Sequence, residues 1–215
     1  MDNEPDTRTY SGHEIAADAV VHALGVGFAL IAGPILIGLV AAEHKFGEIT
    51  AISIYVASLI AMFSFSAIYN LVPLPAAREW FRRLDHSTIY LKIAGAYTPF
   101  AAISLGGKVG LVLLASVWGA AIIGIFLKIV FPRRYELFSL CLYLAMGWAA
   151  IIVAGDIAEN VEVMTLMLMV TSGILYTLGV VFHVWRALPF QNAIWHVFVL
   201  VATAVMYSAI ASEFV

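Results

Sequence analysis

The chain has 215 residues, of which 63% are hydrophobic and only 12% charged, whereas a soluble domain carries about 25% charged residues. This composition is that of an integral membrane protein. The net charge of −3 excludes a role built mainly on nucleic-acid binding, and a single cysteine, Cys141, excludes a disulfide framework or a cysteine metal site within one chain.

The first seventeen residues are polar, with Asp2, Glu4, Asp6 and Glu14 against Arg8. They lack the basic start and short apolar run of a cleavable signal, so residues 1–17 are expected to remain as a segment ahead of one membrane domain at 18–215. About 20 apolar residues cross the hydrocarbon core as a helix. Seven stretches satisfy that length: 18–42, 49–71, 87–105, 109–131, 137–155, 162–185 and 193–214. They are bounded by charges, Pro or Gly, as at Gly106-Gly107-Lys108 and Pro132-Arg133-Arg134. Because the runs are long and do not alternate with period two, the predicted fold is all-α: a polytopic bundle of seven transmembrane helices. The longest predicted loop is 72–86.

Basic residues orient the bundle. With seven spans, Arg8, Arg78, Arg82, Arg83, Lys128, Arg133, Arg134 and Arg186 share one side, against Lys45 and Lys108 on the other. The N-terminus is therefore expected in the cytoplasm. Lys92 falls inside the third span and is expected to snorkel back to the cytoplasmic interface. Asp85 is expected to cap the start of that span, His86 to face solvent or headgroups, and Pro99 to kink the helix.

This orientation places polar residues from five spans in one leaflet: His22; Ser66, Tyr69 and Asn70; Asp85 and His86; His183; Asn192 and His196. Residues four apart share a helix face, so Ser66 pairs with Asn70 and Asn192 with His196. Such faces converge on a pocket between helices.

The stretch Arg82-Arg83-Leu84-Asp85-His86-Ser87-Thr88-Ile89-Tyr90-Leu91-Lys92-Ile93-Ala94-Gly95-Ala96-Tyr97-Thr98-Pro99-Phe100 resembles the signature of the hemolysin III family. That family is the bacterial branch of the progestin and adipoQ receptors, which include the adiponectin receptors. Ser66-Ala-Ile-Tyr-Asn70, Gly173-Ile-Leu-Tyr-Thr-Leu-Gly179 and Ala193-Ile-Trp-His-Val-Phe-Val199 agree in order and spacing.

The resemblance implies a seven-helix protein of the bacterial inner membrane, with its N-terminus inside. It also implies a zinc site in which Ser66 and Asp85 assist catalysis and histidines at 70, 192 and 196 hold the metal. The activities it implies are membrane-lipid homeostasis or sensing, a zinc-dependent lipid amide hydrolysis of ceramide type, or haemolysis through a pore. The implied partners are membrane lipids, with a lipid or fatty acid as ligand.

Positions 70 and 192 are asparagine here, leaving His196 as the one matching imidazole. A neutral amide is a poor zinc donor, so tight zinc is not expected at that ligand set. Three arrangements remain open. Metal binds with His86, His183 or His22 recruited beside His196 and Asp85; the polar pocket takes a lipid or water; or Asn70 and Asn192 pair across helices. A homeostasis or lipid-sensing role needs no metal and is the expected function. The hydrolase is the alternative, and the pore is the weaker one.

Overall fold

The computed structural model describes residues 10–43, 46–73 and 75–215. Asp2, Glu4, Asp6, Arg8 and Lys45 lie outside the described residues. The described chain is helical, without strands: α1 (Gly12–Glu43), α2 (Phe46–Leu71), α3 (Arg78–Pro99), α4 (Gly107–Val130), α5 (Glu136–Gly147), α6 (Ala154–Asn160), α7 (Val163–Val184) and α8 (Gln191–Phe214). A π-helical stretch, Phe100–Leu105, follows α3, and a 3₁₀ stretch, Ala149–Val153, joins α5 to α6.

Among the described residues, six helical segments are long and apolar enough to cross a bilayer: Gly12–Ala42, Phe46–Leu71, Gly107–Val130, Glu136–Asn160, Val163–Val184 and Gln191–Phe214. Helix α3, counted above as a seventh span, does not meet that criterion. It begins at Arg78, well before residue 87, and carries Arg78, Glu79, Arg82, Arg83, Asp85 and Lys92. Arg78 is exposed and Glu79, Arg82, Arg83 and Asp85 are half-buried in the first turns, while Lys92 alone of the six is buried. Helix α3 is packed between α2 and α4, and Ser87, Thr88, Tyr90, Lys92 and the run Ala94–Pro99 are all buried. Its polar groups thus meet protein partners in place of lipid.

Close approach of α3 to α2 rests on Gly95, where a Cβ would lie 2.2 Å from Ser58 Oγ. Pro99 does not simply bend the helix. Its missing N–H falls where the chain changes from α to π winding, and the π turn closes with Gly106 N donating to the Ala101 carbonyl at 3.2 Å. Gly106 and Gly107, at φ 58° and 51°, then turn the chain into α4.

The helices form an open arc. Helix α7 packs along α8, α8 along α1, α1 along α2, α2 along α3, and α3 along α4 and α5. Among the described residues no comparable packing joins α7 to α5 or α6. The expected fifth span is interrupted: α5 ends at Gly147, and the Trp148 indole N–H donates to Thr177 Oγ1 of α7 at 3.0 Å across the opening.

Candidate polar site

The arc encloses a cavity of about 1650 Å³. One end is lined by His22, Ser66, Asn70, Asp85, Asn192 and His196, and the other by Phe100, Leu166, Met169 and Met206. Of the sequence-predicted site residues, Ser66, Tyr69, Asn70, Asp85, His86, His183, Asn192 and His196 all line this cavity, and His22 joins them.

A tighter cluster lies within it, and its hub is Asp18, a residue outside the set expected from the sequence. Asp18, 6% exposed, sits one turn before His22 on α1. Its carboxylate Oδ1 accepts from His196 Nδ1 at 2.6 Å, and Oδ2 accepts from Asn192 Nδ2 at 2.9 Å. His22 Nδ1 donates to the Asp18 carbonyl at 2.8 Å. A carbonyl only accepts, so this bond puts the proton on Nδ1 and leaves Nε2 to accept from the Ser66 hydroxyl at 3.2 Å. The two imidazole rings lie edge to face with centroids 4.3 Å apart. Asn192 Nδ2 also reaches Asn70 Oδ1 at 3.3 Å, while Asn70 Nδ2 donates to the Ser66 carbonyl at 2.9 Å. Three helices, α1, α2 and α8, are thereby tied to one carboxylate and its neighbours.

The donor atoms of Asp18, His22 and His196 lie within 4.8 Å of one another. Nδ1 of both imidazoles faces Asp18, His196 toward the carboxylate and His22 toward the carbonyl, so an ion shared by the three side chains would displace the His196 proton. One carboxylate and two imidazoles are donors that zinc accepts, with a position left for water. The chain therefore offers a ligand set that does not use positions 70 and 192, whose amides instead support Asp18 and Ser66.

His86 and His183 stand apart from this group. The His86 ring donates through Nδ1 to the Arg82 carbonyl at 2.7 Å and faces Tyr69 at 6.3 Å. His183 is packed on Trp195, with ring centroids 4.8 Å apart.

Asp85 does not cap α3, because the helix starts at Arg78 with Ala77 before it and no side-chain cap. Its carboxylate lies 3.7 Å from His86 Nδ1 and faces the cavity.

Lys92 does not snorkel: it is 3% exposed and donates to the Tyr176 hydroxyl on α7, which is bonded in turn to Thr203 on α8. At the rim, Glu79 accepts from Arg82 at 2.9 Å and from Arg133 at 3.1 Å, joining α3 to the α4–α5 turn. The Arg82 hydrogen bond in particular holds the Glu79 carboxyl below its ordinary value.

Asp18 was legible in principle. Asp18-x-x-x-His22 has the same four-residue spacing as the Ser66–Asn70 and Asn192–His196 pairs. Drawing the first span from residue 18 put Asp18 at its edge, where a solvated acid needs no explanation.

A family model described as "Haemolysin-III related" matches residues 12–207. Hemolysin-3 of Bacillus cereus is 40% identical over 197 residues, covering 90% of this chain and 89% of that protein. A Hemolysin-3 homolog of Bacillus subtilis is 35% identical, covering 90% of this chain and 91% of that protein. The human Monocyte to macrophage differentiation factor is 30% identical over 204 residues, covering 92% of this chain and 83% of that protein. With a family match along nearly its whole length, the chain belongs to the haemolysin III-related family of multi-pass membrane proteins.

Proposed function

We propose that this chain is a lipid-sensing or membrane-lipid homeostasis protein that holds an amphiphile between its helices. The observation that carries this reading is a large cavity with hydrogen-bonding groups at one end and hydrocarbon at the other, which matches a lipid end for end. The arc is unpacked between α5 and α7, so a ligand has a lateral route from the bilayer. In this reading α3 is the seventh span, its polar residues sheltered by α2 and α4, and the protein sits in the bacterial inner membrane. The excess of arginine and lysine around the polar end supports a cytoplasmic orientation for that end, and with it for the N-terminus.

The test is deletion of the gene in its host, followed by measurement of lipid composition and membrane fluidity under cold and detergent stress. Unchanged values under both stresses would refute the reading. The apolar far end of the cavity, with Phe100, Leu166, Met169 and Met206, speaks against a water-filled ion path.

A second reading, metal-assisted hydrolysis of a lipid amide, is favoured by the Asp18–His22–His196 cluster. Those three side chains would hold the ion. Zinc bound there would supply a water of lowered pKa. Asn192 keeps the Asp18 carboxylate in place, and Ser66 orients His22. Asp85, facing the cavity, is placed to accept a proton on its carboxylate. Metal analysis of the purified protein and hydrolysis assays on a ceramide-like lipid test it. Absence of both bound zinc and turnover with zinc supplied would end it.

A further inference from the structure

Two lysines are buried to the same degree, and their surroundings differ. Lys128 is 3% exposed and lies 2.6 Å from the Glu136 carboxylate. Lys92 is also 3% exposed, yet among the described residues no carboxylate lies within ion-pair distance of its Nζ. Its protein partner is the Tyr176 hydroxyl, backed by Thr203, and its Nζ lies 4.2 Å from the Tyr176 ring centroid. An ammonium has three donors, and among the described residues the Tyr176 hydroxyl is the one acceptor bonded to it. A buried cation without a counter-ion is costly in a membrane and marks a functional position.

Position along the helices adds a second argument. Lys92 lies seven residues beyond Asp85 on α3, Thr203 seven beyond His196 on α8, and Tyr176 seven before His183 on α7. Seven residues are about two turns and roughly 10 Å. Lys92, Tyr176 and Thr203 therefore form a second polar layer on the same helix faces, deeper than the Asp18 cluster. Lys92 and Tyr176 both line the cavity. Beyond them its walls are apolar.

We propose that Lys92, positioned by Tyr176 and Thr203, anchors the monoanionic head of a single-chain amphiphile whose tail fills the apolar end of the cavity. This rests on the lipid-binding reading above and specifies its ligand. A carboxylate or a phosphodiester supplies the missing counter-ion and accepts the remaining N–H donors as charge-assisted hydrogen bonds. A neutral head group of the same chain length does not.

The experiment uses the full chain in phosphatidylcholine nanodiscs, with empty nanodiscs as the partition control. Binding of radiolabelled palmitate, palmitoyl lysophosphatidylglycerol and hexadecanol is compared for wild type, Lys92→Met and Lys92→Arg. Wild type is expected to bind at least one anion about tenfold more tightly than the alcohol, and which anion wins separates a fatty acid from a lysophospholipid. Lys92→Met is expected to bind the anions no better than the alcohol. Its alcohol affinity stays within about twofold of wild type, which shows that the cavity is intact. Lys92→Arg is expected to keep the preference for anions.

Equal wild-type affinity for acid, lysophospholipid and alcohol overturns the anchor and leaves lipid binding standing. So does an undiminished anion preference in Lys92→Met. If none of the three binds above the empty-disc control, the lipid-binding reading falls and the anchor with it.

Discussion

Replacing Asp18 with asparagine probes the polar cluster most directly, because shape is kept and charge is lost. In the wild type both carboxylate oxygens accept, one from His196 and one from Asn192. An amide has one accepting oxygen, so one of those donors loses its partner. Hydrogen bonds to charged groups contribute about 1.5–3 kcal/mol, and metal-free Asp18→Asn should be destabilised by about that much.

The larger consequence is for metal. Even changes behind a metal ligand cost about 10–100-fold in affinity. At zinc 100-fold above its dissociation constant, binding stabilises the folded protein by about 2.7 kcal/mol. A 100-fold weaker site at the same zinc concentration retains only about 0.4 kcal/mol. The assay is the melting temperature of purified protein with zinc and with chelator, alongside His196→Ala. Wild type should show a zinc-dependent rise, and Asp18→Asn should keep about 15% of that stabilisation. A full zinc-dependent rise in Asp18→Asn, or none in wild type, would refute assignment of the metal to Asp18, His22 and His196.

Three further outcomes are expected. Gly110→Ala puts a Cβ 2.1 Å from the Ala101 carbonyl oxygen, a backbone atom that cannot swing aside, and should cost about 1–3 kcal/mol; a melting temperature equal to wild type would contradict the packing of α4 on the π turn. Glu79 has its carboxyl lowered by Arg82, so its stabilisation is complete above the ordinary value of 4.5 and is lost as pH falls through the folded value. Glu79→Gln should therefore melt slightly below wild type at pH 7, by the roughly 0.2–1 kcal/mol of an exposed pair, and the gap should narrow progressively as pH falls below 4.5; a gap that does not narrow on acidification would show that the ion pair is not its source. Trp148→Ala removes the hydrogen bond that crosses from α5 to α7. Loss of about 1 kcal/mol should speed uptake of a fluorescent amphiphile about fivefold in stopped-flow mixing, and an unchanged rate would argue against entry between those helices.

The all-helical membrane character, six of the spans within a few residues, and membership of the family are legible in composition, run length and the 82–100 motif. The gathering of polar residues at one end follows from the alternating direction of successive spans. These are one-dimensional properties: the length of hydrocarbon to be crossed and the cost of charge within it.

The partners were not legible, and the physical reason is the solvent. In water, an amphipathic period tells which face of a helix is buried. In a bilayer, lipid and protein core are equally apolar, so the four-residue spacing of Asp18 and His22 gives them a shared face without telling whether it points inward, and nothing marks Lys92 as sheltered by α2 and α4. Tertiary structure decided that α3 is an interior helix, that α5 breaks at Trp148, and that one carboxylate from α1 meets a histidine from α8, 178 positions away in the chain. Sequence determined which groups had to avoid lipid, and packing alone decided which of them met.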